Sequence, residues 1–123
     1  MSQPLALVFY ERLMPGSQLV NWLQDLNYRV LAVNNAALLA ATAKREKPLV
    51  LLADLKSRAD VRTAIEKIKA DPETAHVPVI AFAPDDDAEM LATAKLAGAD
   101  LTTGESALGS HLPQLLEQAL HLE

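Results

Sequence analysis

The stretch Pro48-Leu49-Val50-Leu51-Leu52-Ala53-Asp54-Leu55 constrains this chain more than any other. A short unbroken apolar run opened by a proline predicts a strand buried on both faces, as in a parallel sheet covered by helices. The run ends in a carboxylate, Asp54, where strand gives way to loop. Ligands and chemistry collect at that C-terminal edge of open parallel sheets, so Asp54 is the leading candidate site residue.

The rest of the chain alternates around this strand. Leu5 to Tyr10 predicts a first strand, and Met14-Pro15-Gly16-Ser17 predicts a break before a helix carrying Leu19, Trp22, Leu23 and Leu26. Tyr28 to Val33 predicts a second strand and Ala36 to Lys44 a helix rich in alanine. After Asp54, Ser57 or Asp60 is positioned to cap a helix with the stripe Val61, Ala64, Ile65 and Ile68. Asp71-Pro72-Glu73 ends that helix, and Val77 to Phe82 predicts a fourth buried strand. The next helix carries Met90, Leu91, Ala94 and Ala97 and stops at Gly98. A short strand near Leu101 precedes a last helix with Leu108, Leu112, Leu115, Leu116 and Ala119, whose first turn Pro113 places near His111. Strand and helix alternate five times without a linker or repeat, which predicts one α/β domain over residues 1–123 with a parallel sheet and right-handed crossovers.

Composition narrows the function. A chain of 123 residues buries roughly two-thirds of its unfolded surface without a covalent staple. It has no cysteine, which excludes disulfides and thiolate metal sites and suits a cytoplasmic protein. No apolar run approaches the roughly 20 residues of a membrane span, and Met1-Ser2-Gln3-Pro4 lacks the basic opening of a secretion signal. The net charge of −5 disfavours nucleic acid, and no Lys or Arg follows Lys95.

Particular residues in this layout resemble the response-regulator receiver domain, the CheY-like member of the flavodoxin-like folds. They are Pro48 to Leu55, Ala70-Asp71-Pro72-Glu73-Thr74 followed by Val77-Pro78-Val79-Ile80, and Ala97-Gly98-Ala99-Asp100, with Tyr28-Arg29-Val30 where the second strand begins. The resemblance covers nearly the whole chain. It implies a three-layer sandwich with five helices, the strand order 2-1-3-4-5, and Asp54 as phosphoacceptor.

The same resemblance exposes departures. A carboxylate attacking a phosphoryl group needs nearby positive charge to offset repulsion. Receivers supply it with Mg²⁺ held by an acid pair after the first strand, a hydroxyl residue ending the fourth strand and a lysine ending the fifth. Here the first loop reads Tyr10-Glu11-Arg12, so Glu11 alone could join Asp54 as an acidic pocket or a residual Mg²⁺ site. The hydroxyl position falls on Ala83 and the lysine position on Glu105. The hydroxyl–aromatic pair that relays the signal maps to Ala83 and Thr102, and both depart from the pattern. Crowded carboxylates at this edge call for a cation, Arg12 first, with Lys56 or Arg58 as alternatives.

Other motifs point to structure. Asp85-Asp86-Asp87 precedes a helix and suits a cap better than a metal site. His76, His111 and His121 lack ligand spacing, Trp22 suits core filling, and Arg12, Lys44, Arg45 and Lys47 form no basic stripe. The chain has no dinucleotide fingerprint, no P-loop and no nucleophile elbow, so no enzymatic signature is present. The expectation is a pseudo-receiver without a cofactor, acting by protein–protein contact. Its contact face, Glu89 to Glu123, suits a basic or apolar partner or a homodimer. The alternatives are a working phosphoacceptor at Asp54 and a flavodoxin-like binder of an unrelated small ligand.

Overall fold

A computed structural model describes residues 3–57 and 60–121. Its five-stranded sheet is parallel throughout, with order β2-β1-β3-β4-β5. The strands are β1 (Leu5–Phe9), β2 (Arg29–Val33), β3 (Val50–Asp54), β4 (Val79–Ala83) and β5 (Leu101–Gly104). The helices are α1 (Leu13–Asp25), α2 (Leu39–Glu46), α3 (Val61–Ala70), α4 (Ala88–Ala97) and α5 (Glu105–Leu120), with a 3₁₀ turn, Ala36–Leu38, leading into α2.

Every residue of β1, β3 and β4 is buried, as their unbroken apolar runs require. Alternation along each strand sends side chains into two cores. Leu7, Phe9, Leu51, Val79 and Ala81 pack with α2, α3 and α4, including Leu39, Ile65 and Ile68. Ala6, Val8, Leu52, Ile80 and Phe82 pack with α1 and α5 through Leu19, Leu23, Leu108, Leu112 and Leu116. The pairing of Val8 with Leu52, and of Leu52 with Ile80, keeps each set on one side of the sheet.

Helix ends follow their side chains. Asp60 caps α3 by accepting from the Thr63 N–H at 3.0 Å, and Asp87 caps α4 by accepting from Met90 N–H at 3.0 Å. Gly98 closes α4 in the left-handed region at φ 116°. At the N-terminal edge of the strands, Lys69 Nζ donates to the carbonyls of Ala75 (3.2 Å) and Val77 (2.8 Å) and to Asp100 Oδ2 (2.6 Å). Asp100 also accepts from Val79 N–H at 2.8 Å, which ties α3 to the strand ends of β4 and β5.

Two helical expectations need correction. Met14-Pro15-Gly16-Ser17 does not break the chain but forms the opening of α1. Proline is tolerated in a first turn because its missing N–H has no partner there anyway. Gly16 is required for another reason: a Cβ there would collide with the Tyr10 ring. The last element begins earlier than expected, at Glu105, though a helical segment does start after His111 with Pro113 in its first turn. Pro113 produces a joint at His111, whose φ of −129° lies outside the helical region. The joint leaves a front segment, Glu105–Ser110, and a rear segment bearing Leu112, Leu116 and Ala119.

Candidate functional site

Asp54 is the last residue of β3 and 0% exposed. A buried carboxylate needs a cation or several hydrogen bonds, and Arg12 supplies the cation. Arg12 Nε donates to Asp54 Oδ2 at 2.8 Å and Nη2 donates to Oδ1 at 2.8 Å, a two-pronged, charge-assisted pair. The Lys56 backbone N–H donates to Oδ1 at 3.0 Å. Arg12 Nη2 also donates to Glu105 Oε1, so one guanidinium serves two carboxylates. Among the described cations, Arg12 is therefore the partner of Asp54, while Arg58 lies outside the described residues.

Local structure explains this placement. Arg12 stands at the N-cap of α1 with extended backbone, and its side chain makes no cap hydrogen bond. It is thus free to turn inward over β3, which neighbours β1 in the sheet. Glu105 opens α5, the element that follows β5. The Arg12 side chain is 28% exposed and that of Glu105 31%. The Asp54 hydrogen bonds raise the Arg12 pKa above its ordinary value against the opposing pull of burial, with Glu105 adding to the rise. Arg12 is thus permanently charged.

The other expected positions lie around this pair. Tyr10 is half-buried against α1, and Ala83 ends β4 fully buried and without a hydroxyl. Thr102 is half-buried on β5, opposite Ala81. Glu11 is exposed and borders a cleft of about 580 Å³ with Arg12, Lys56 and Ser57. Arg12 brings Asp54 and Glu105 onto one guanidinium. Both Asp54 oxygens accept from the guanidinium, so a divalent ion approaching this carboxylate would meet the charge of Arg12. Among the described residues no group of three or more His, Cys, Asp or Glu side chains could hold a metal ion.

One fastener at this edge was not foreseen. Asp85 Oδ1 accepts from Ser106 N–H at 3.0 Å, and its other oxygen accepts from the Ser106 hydroxyl. The Ser106 hydroxyl, then its backbone N–H, lowers the Asp85 pKa. A Cβ at position 104 would strike the Asp85 carboxylate, so Gly104 permits this approach. The acidic triplet thus divides its work: Asp87 caps α4 and Asp85 caps α5. Nothing local in the sequence links Asp85 to Ser106, which lie 21 residues apart.

No protein-family model matches the sequence, and no curated protein matches it in sequence. Solved structures match the fold closely. The receiver domain of a sensor histidine kinase from Pseudomonas aeruginosa, solved with magnesium in its active site cleft, has a TM-score of 0.85 at 19% identity, covering 96% of this chain and 98% of its own. A putative response regulator from Chloroflexus aurantiacus has a TM-score of 0.88 at 16% identity, covering 96% and 98%. A chemotaxis response regulator from Vibrio cholerae has a TM-score of 0.83 at 15% identity, covering 96% and 99%. The chain has the CheY-like receiver fold, with the expected strand order and five helices. No helix among the described residues is long and apolar enough to cross a membrane.

Proposed function

We propose that this chain is a receiver-type signalling module of the cytoplasm that acts by protein–protein contact, not by catalysis or conventional aspartyl phosphorylation. The observation that carries this reading is the two-pronged hold of Arg12 on Asp54. A phosphoacceptor must present a free carboxylate oxygen to phosphorus beside a cation that neutralises the incoming phosphoryl group. Here the cation sits on the nucleophile itself, Ala83 offers no hydroxyl, and an acid stands at position 105. Glu105 adds negative charge where an incoming phosphoryl group would need positive charge.

The contact surface in this reading is α4 with β5 and α5. Leu96 on α4 is 90% exposed, and Ala88 and Ala92 are exposed at four-residue spacing on the same helix face. Glu89 and Glu117 are exposed on the same elements, so the face fits a partner with apolar and basic side chains. The alternative, phosphorylation at Asp54, draws support from the strand-end position of Asp54 and from the magnesium-bearing receiver neighbour.

Incubation with Mg²⁺ and acetyl phosphate, read by intact mass, separates the two. The expected result is an unchanged mass. A gain of one phosphate that disappears in Asp54→Asn would establish the alternative.

A further inference from the structure

The outer edge of β2 is built to accept another strand. Arg29 N–H donates to the Pro4 carbonyl at 2.8 Å, and the Val33 carbonyl accepts from Tyr10 N–H at 3.1 Å. Both N–H and C=O of one strand residue point to the same side, alternating along the strand. Arg29, Leu31 and Val33 therefore face β1, while the N–H and C=O of Val30 and Ala32 face outward. Strand β2 pairs with β1 alone among the described strands.

Exposed edges are usually guarded by a charge, a proline or a bulge. From Val30 to Val33 there is none of these, and Ala32 is exposed. The neighbouring sequence carries little charge. Between Asp25 and Lys44, Arg29 is the sole charged residue. Two large exposed apolar side chains fall in the same interval, Leu26 at 37% and Leu38 at 55%.

We propose that two copies of this chain associate by pairing β2 antiparallel with β2, joining their sheets across a two-fold axis at Leu31. The spacing is self-complementary. With Leu31 opposite Leu31 of the second copy, Val30 of each copy faces Ala32 of the other, and all four outward groups find partners. Charge permits a second copy along this strand: in this register Arg29, the one charged residue of β2, lies opposite the uncharged Val33, so no like charges meet across the axis. The net charge of −5 on each copy opposes association and adds to its concentration dependence. A five-residue edge with its flanking side chains falls below the area of a standard stable interface, so the dimer is concentration-dependent.

The test is light scattering over a concentration series of the full chain, with amide hydrogen exchange at each concentration. Dimer formation should slow exchange at Val30 and Ala32, while Leu31, bonded to β1, is slow throughout. Ala32→Pro removes an outward N–H and no bond to β1. It should weaken the dimer roughly 30-fold, two hydrogen bonds being lost across the axis. Ala32→Lys, which keeps the backbone intact, should weaken it too if the proline variant folds poorly. Leu96→Glu, on the proposed partner face, should leave the dimer unchanged. A chain that stays monomeric with open exchange at Val30 and Ala32 would overturn the proposal, as would a dimer that survives both Ala32 variants or is broken by Leu96→Glu.

Discussion

At the N-terminal edge of the sheet, the three N–H donors of Lys69 go to two carbonyls and Asp100. At the C-terminal edge, Arg12 spans Asp54 and Glu105. The Lys69 cluster is balanced, one cation against one carboxylate in a largely buried setting. The Arg12 cluster has one cation against two carboxylates and opens onto a cleft. One edge is closed by a completed set of bonds, whereas the other keeps surplus acid next to solvent. Because both join elements far apart in sequence, the contrast separates a closed fastener from one that sits at the C-terminal end of the central strand.

Removing each cation tests this contrast most directly. Lys69→Met should destabilise the fold by about 3 kcal/mol, because Asp100 and two carbonyls lose their shared donor at once. Urea unfolding measures this, and a loss below that of Arg12→Met would reverse the assignment. Arg12→Met should cost about 2 kcal/mol, since Asp54 loses its cation but keeps the Lys56 N–H on one oxygen. Adding Asp54→Asn should recover most of that loss, a non-additivity that a double-mutant cycle reads. Glu105→Gln removes the surplus charge and should change stability by less than about 1 kcal/mol.

The smallest effect concerns acid. The Asp85 pKa is lowered in the fold, so its contribution is present above its unfolded value, near 4, and fades as pH falls through the lower folded value. Ser106→Ala should flatten that acid-side decline without altering stability differences between neutral and mildly alkaline pH. Unfolding midpoints across an acid series would show it, and an unchanged profile would mean that Asp85 is not tuned by Ser106.

Much of this architecture was legible because it is encoded locally. The run ending in Asp54, the Asp60 cap, the stripe Val61-Ala64-Ile65-Ile68 and the Gly98 stop all appear where periodicity and capping place them. The need for a cation beside Asp54 was readable from the shortage of positive charge, although choosing among Arg12, Lys56 and Arg58 required the turn of α1 over β3. Lys69 with Asp100 and Asp85 with Ser106 left no trace in the sequence, because pairs 31 and 21 residues apart arise from crossover geometry alone. Proline misled at Pro15, which a first turn accepts, but marked a real restart of the helix after His111 at Pro113.

The joint at His111 bears on how any message could travel. The forward part of α5 is bonded to the crown of the sheet by Arg12 and Asp85 and seated on the core through Leu108, while the hind part is seated there through Leu112 and Leu116. The joint between the two leaves each half with its own anchorage on the sheet. Whatever docks on the hind half of α5 would therefore meet the same surface whether or not the crown is disturbed.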